Sequence, residues 1–164
     1  MPTHVTDVAT KQTPVEAADT WSRDAGNKQT GNLLFIDATY TLTSGTDETS
    51  GDLINICKIP ANAKVVPHLC KISAENPGTA FNIAKIGLIK CDVDGSATDD
   101  DDAVSTAINI SAGGAFDFAW AAQAIAQDDV AETEDMWLQA ELGTITSPTA
   151  GQKVRFLIAI APGV

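Results

Sequence analysis

The chain has 164 residues, 44% hydrophobic and 20% charged, and a net charge of −12. That length suits one compact domain with a core that needs no staples, and so acidic a surface repels phosphate backbones, which excludes nucleic acid as the expected partner. The longest apolar runs, such as FLIAIA (Phe156–Ala161), are far too short to span a bilayer, and MPTHVTDVATKQTPVEAADTW at the N-terminus lacks the apolar stretch of a secretory leader. The expectation is a soluble protein made in a cytoplasm, with no membrane partner.

In chain order, residues 1–32 come first and differ from the rest. They are rich in Thr, Ala and Asp, carry Pro2 and Pro14, and show no clear apolar period. This reads as an extended N-terminal arm ahead of a domain spanning 33–164. Trp21 is its one large anchor, with Arg23 beside it and Lys28 further on. These three are the candidate partner-binding residues. The ring can equally dock on its own domain.

From Leu33 onward, short segments rich in Ile, Val, Thr and Phe alternate with Gly/Pro/Asn/Asp/Ser clusters. Eight strands are predicted, over 33–43, 52–59, 65–75, 79–91, 104–110, 115–121, 134–146 and 153–161. Val154, Phe156, Ile158 and Ile160 share one face of the last strand. Met136, Leu138, Ala140 and Leu142 share one face of the seventh, and Phe116, Phe118 and Trp120 one face of the sixth. Pro67 suggests an edge position or a bulge in the third strand. The alanines of 120–132 are also compatible with a short helix. Eight strands with short connections predict an all-β fold, an eight-stranded antiparallel β-sandwich of jelly-roll type.

If consecutive strands alternate in direction, the second, fourth and sixth connections share one end of the sandwich. The fourth holds CDVDGSATDDDD (Cys91–Asp102), with Asp92, Asp94 and Asp99–Asp102. The sixth holds Asp128, Asp129, Glu132, Glu134 and Asp135. Eleven of the 22 carboxylates then crowd one end, where both chain termini are also expected to emerge because the first strand starts and the eighth finishes there. The first, third, fifth and seventh connections form a nearly neutral opposite end.

Little in the chain points to catalysis. There are two histidines, His4 in the arm and His68 in a predicted strand. No nucleophile elbow, phosphate loop, dinucleotide fingerprint or zinc-protease motif is present. Abundant carboxylates alone do not make a glycosidase without a cleft and stacking aromatics. Cys57, Cys70 and Cys91 lack C-x-x-C spacing and read as reduced, buried thiols. The D-x-D-G of the acidic loop is a poor calcium hand: with Gly95 at position 6, Lys90 falls at position 1. Asp92 and Asp94 stay as weak candidate ligands for calcium in a looser site, beside the plainer reading of a solvated acidic loop with no cofactor. Trp137 and Trp120 could stack on a sugar; alternatively, Trp120 belongs to the core and Trp137 to a subunit interface.

The stretch ATYTLTSGTDETSGDLINICKIPANAKVV (Ala38–Val66) carries a resemblance. Its Ala38, Thr39, Tyr40, then Gly51, Asp52, Ile54, then Ile59, Pro60, Ala61, Ala63 and Val65, followed by GTAFNIAKIG (Gly78–Gly87), resemble the pattern of head decoration, or capsid cement, proteins of tailed bacteriophages. The resemblance covers about a third of the chain and leaves out the arm and the Asp-rich insertion. It implies a non-enzymatic virion protein on the capsid exterior, often a homotrimer at three-fold positions, made in a host bacterial cytoplasm. Its partner would be the major capsid protein, whose subunits it would bridge and stabilise. A carbohydrate- or receptor-binding β-sandwich of a virion, as a head or tail fibre component, is the alternative.

Overall fold

The structure, a computed structural model, describes residues 3–5, 33–43, 47–90, 100–119 and 135–161. Eleven strands form among the described residues: β1 (Thr3–Val5), β2 (Leu34–Thr41), β3 (Leu53–Ile59), β4 (Lys64–Val65), β5 (Lys71–Ala74), β6 (Gly78–Lys90), β7 (Asp100–Ser105), β8 (Ile108–Asn109), β9 (Gly114–Asp117), β10 (Met136–Pro148) and β11 (Lys153–Ala161). Period-two patterning drives them. Along β11 the side chains of Val154, Phe156, Ile158 and Ile160 are buried, while Lys153, Arg155 and Leu157 face water. The predicted third strand is interrupted. Pro67 cannot donate to a ladder, and Pro67–Leu69 form a 3₁₀ turn between β4 and β5 that carries exposed His68. The predicted fifth strand divides into β7 and β8, and β7 begins inside the aspartate run, at Asp100.

The pairing is that of a long antiparallel ribbon rolled up. β2 pairs with β11, β3 with β10, β5 with β9 and β6 with β7, so first meets last and the innermost strands meet each other. Successive pairs fall into alternate sheets. One sheet has the order β1-β3-β10-β6-β7, with β8 on β6; the other has β2-β11-β5-β9, with β4 on β11. Without β1, β4 and β8 these are the two four-stranded sheets of a jelly roll. The first is called sheet A below and the second sheet B. The pairings are antiparallel except for β1, which lies parallel to β3 at the edge of sheet A.

The core lies between the sheets. Tyr40, Leu42, Ile54, Phe81, Ile83, Leu138, Leu142, Phe156 and Ile158 are all buried there. Each large apolar side chain removed from water contributes about 1.5–3 kcal/mol. The ladder of β10 shifts register between Leu138 and Gln139 against β3 and between Glu141 and Leu142 against β6, and it is the first half of the strand, Met136–Leu142, that is buried against the core. Gly113 has φ of 69°, and a Cβ there would stand 2.7 Å from the backbone nitrogen of Asn76, so this tight turn requires glycine.

Cys57 and Cys70 are free and buried, as expected of reduced thiols. Cys70 Sγ accepts from the Ala159 amide at 3.3 Å and lies 3.3 Å from the Val66 carbonyl oxygen. Burial pushes its thiol up to about 11 despite the amide, and burial raises Cys57 further. The Tyr40 hydroxyl is raised as well, by burial first and then by Glu48. All three groups hold their protons more tightly folded than unfolded. Their contribution is complete below the ordinary thiol value and is lost as pH rises past it. Unfolding free energy is therefore expected to fall by about 3 kcal/mol between pH 8 and pH 10. Urea titrations at the two pH values check this; an unchanged midpoint would contradict it.

Candidate interaction surfaces

The ends of the described strands sort as the strand parity predicts. At one end Met136, which opens β10, faces both Ile59 at the close of β3 and Lys90 at the close of β6. The connections 91–99 and 120–134 therefore leave or enter sheet A at this end, together with the turn 60–63. Asp135 ties two of these connections: its Oδ1 accepts from the Ala61 amide at 2.9 Å and its Oδ2 lies 3.4 Å from Lys58 Nζ. In sheet B, Ile160 pairs with both Leu34 and Val65, so β2 begins and β11 finishes at this same end.

At the opposite end the other four connections converge. The Thr149 amide donates to the Pro77 carbonyl, Gly151 to Leu42 and Gly51 to Leu142. A shallow cleft of about 450 Å³ lies between three of these turns. Asn76, Thr79, Ser111, Ser147 and Thr149 line it, and among the described lining residues there is neither a charge nor an aromatic ring. Thr3–Val5 pair with Leu53–Asn55, so the chain joins sheet A near this neutral end, not at the acidic end where both termini were expected, and it joins sheet B, at Leu34, near the acidic one.

Two carboxylates are buried beside the neutral end. Glu48 Oε1 accepts from the Tyr40 hydroxyl (2.8 Å), the Thr43 amide (2.7 Å) and the Thr43 hydroxyl (3.0 Å). Glu48 Oε2 has no partner. Asp52 Oδ2 accepts from the amide and hydroxyl of Thr49 at 2.7 and 2.9 Å, closing the turn before β3. These bonds fasten Thr43 and Glu48 to Tyr40 in the core and close the turn 49–52. No group of three or more His, Cys, Asp or Glu side chains among the described residues has a metal-holding arrangement.

Of the residues singled out in the sequence, Trp137 is placed. It is half-buried on the outer face of sheet A, with Lys58 and Ile89 as its neighbours in register. Trp21, Arg23, Lys28, Asp92, Asp94 and Trp120, along with the helical alternative for 120–132 and Cys91, lie outside the described residues.

Sequence reasoning missed the outer face of sheet B. Leu33, Phe35 and Leu157 are the exposed large apolar side chains among the described residues. All three follow the outward parity of β2 and β11. Around them Arg155 pairs with Asp37, and Lys71 Nζ bonds Asp117 Oδ1 at 2.6 Å. The signal was there in the sequence: Leu33, Phe35 and Leu157 alternate with the inward-facing residues of their strands, on positions that polar side chains usually fill.

No family model matches the chain, and no curated protein sequence matches it. Among solved structures, the fold is similar to a chain in the capsid of Ralstonia phage GP4, with a TM-score of 0.65 and 15% identity, over 84% of this chain and 88% of that one. A chain in the acidic stable capsid structure of Helicobacter pylori bacteriophage KHP30 aligns more loosely, with a TM-score of 0.46 and 14% identity over 80% and 89%. At these identities the first likeness concerns the jelly-roll fold.

Proposed function

We propose that this chain is a non-enzymatic structural protein of a phage virion, a decoration or cement protein that binds the outer surface of the head and bridges major capsid protein subunits. The observation that carries the reading is the jelly roll itself, shared over most of both chains with a component of a phage capsid. The decoration-protein pattern in Ala38–Val66 supports the finer assignment. It maps onto β2, the Glu48–Asp52 turn, β3 and the turn into β4, and the Tyr40–Glu48 hydrogen bond ties the first two of these together. Host cytoplasmic synthesis fits the free thiols of Cys57 and Cys70. Several copies around a symmetric shell would turn modest single contacts into firm retention.

In this reading the arm supplies a capsid contact through Trp21, Arg23 and Lys28. Truncation of 1–32 is a poor test because it also removes β1 and uncovers the edge of β3. Substitution is cleaner. Heads lacking this protein are mixed with the wild type or with the triple variant Trp21→Ala/Arg23→Glu/Lys28→Glu, then sedimented. The wild type is expected to sediment with the heads. The variant, folded by circular dichroism, is expected to bind at least about tenfold more weakly, as for loss of an aromatic and cationic anchor. Undiminished binding by the variant would remove the arm's role; no binding by the wild type would remove the reading.

A further inference from the structure

We infer that the cleft at the neutral end is a binding site for a neutral sugar, such as the end of a glycan chain. The turn from β5 into β6, the turn from β8 to β9, and the end of β10 with the turn after it form its walls. These walls are packed backbone against backbone. The Thr149 amide donates to the Pro77 carbonyl at 2.9 Å, and a Cβ at Gly78 would stand 3.0 Å from the Ser147 carbonyl oxygen. Ser111 Oγ is held between the Phe81 amide and Asn109 Oδ1, at 2.7 Å from each. Asn76 and Ser147 have φ of 28° and 50°, two of the three non-glycine residues with left-handed backbone among the described residues. Such backbone persists only where its surroundings hold it, and it concentrates at ligand clamps. The walls are therefore set before a ligand arrives, which keeps the ordering cost of binding low.

The chemistry of the lining selects the ligand. Among the described residues, the exposed side chains of Asn76, Thr79, Ser147 and Thr149 have no hydrogen-bond partner, yet they converge on this one cleft. They offer one amide and three hydroxyls, all able to donate and accept. The neighbouring hydroxyls of a sugar ring are donors and acceptors in the same way. A charged ligand would leave water without a counter-charge in the lining, and a net charge of −12 repels anions. An aromatic ligand finds no ring to stack on. The volume of about 450 Å³ lies within the range of about 300–1,000 Å³ usual for small-ligand sites. The inference concerns the isolated chain and stands whether or not the chain decorates a head.

Titration of the isotope-labelled full chain with the methyl glycosides of glucose, galactose, mannose and N-acetylglucosamine, read by amide NMR shifts, tests it. At least one sugar is expected to move the amides of Gly78, Ser111 and Thr149 saturably, with a Kd of about 1–10 mM. Thr79→Val/Thr149→Val keeps the shape of two exposed side chains and removes their hydroxyls. It is expected to fold and to bind at least about tenfold more weakly. Asn76→Asp keeps the side-chain shape but exchanges an amide donor for a carboxylate, and should weaken binding as well. No saturable shift with any of the four sugars would overturn the proposal. So would undiminished binding by the double variant, equal shifts from glycerol at the same concentration, or shifts centred on Trp137 instead.

Discussion

Phe156→Ala is expected to lower the unfolding free energy by about 3–5 kcal/mol, among the largest effects of a single truncation in this domain. Phe156 is fully buried at the middle of β11. That strand is the hub of sheet B: Phe156 pairs in register with Ala38 on β2 on one side and Ile72 on β5 on the other. The loss combines the transfer free energy of the ring with a cavity that strands held on both sides cannot collapse to fill. Typical domains are stable by only about 5–15 kcal/mol, so the variant should sit near its unfolding threshold at 37 °C. Denaturant titration against Leu157→Ala, on the outer face one residue away, separates core from surface. The surface variant should change stability by less than about 1 kcal/mol. Comparable losses at the two positions would mean that β11 is not buried as described.

Glu48→Ala should have the next largest effect, about 2–4 kcal/mol. Three donors share Glu48 Oε1, and truncation leaves the hydroxyl of Tyr40, a residue only 3% exposed, without that acceptor. A charged acceptor is stronger than a neutral one, so Glu48→Gln, which retains a carbonyl oxygen, is expected to lose less, about 1–2 kcal/mol. Removing both partners should be gentler than adding the single losses. In a double-mutant cycle with Tyr40→Phe, the combined Tyr40→Phe/Glu48→Ala variant is expected to fall short of the sum by at least about 1 kcal/mol. Strict additivity would show that the two side chains act separately. The unpartnered Oε2 marks this site as one where the chain accepts a local cost, and the Asp52–Thr49 turn beside it limits how far the connection can relax.

Much of this architecture was legible in the sequence, for a physical reason. Half-buried strands must alternate, and the alternation in Val154–Ile160 and Met136–Leu142 is regular enough to set their inward faces. Once the strands alternate in direction, the position of the acidic connections follows from counting, and the pairing of Met136 with both Ile59 and Lys90 agrees with that count. Local breaks were harder to see. Pro67 signalled an irregularity, but its form as a 3₁₀ turn depends on the Cys70 amide reaching the Pro67 carbonyl, a choice of backbone that apolar periodicity does not encode. The start of β7 at Asp100 was missed because a run of aspartates looks like a turn, whereas pairing of Leu88 with Asp100 extends the ladder into it. β1 was invisible for another reason: a three-residue parallel edge is set by where the arm meets β3 and carries no period of its own.

The candidate surfaces were legible unevenly. The acidic end could be counted from the sequence, and Trp137 could be named but not placed. The Glu48–Tyr40 pair, eight residues apart, joins a strand to a turn and has no motif to announce it. The outer face of sheet B becomes visible only when Phe35, Asp37, Lys71 and Leu157, far apart in the chain, are laid side by side by the β2–β11–β5 pairing.

Cryo-electron microscopy of heads assembled with and without the chain tests whether this jelly roll decorates a phage head. A decoration protein should give a difference density on the outer surface of the shell, at symmetry-repeated positions, into which the two sheets β2-β11-β5-β9 and β3-β10-β6-β7 fit, touching more than one shell subunit. Identical maps with and without the chain, or density confined to a tail or fibre, would contradict it.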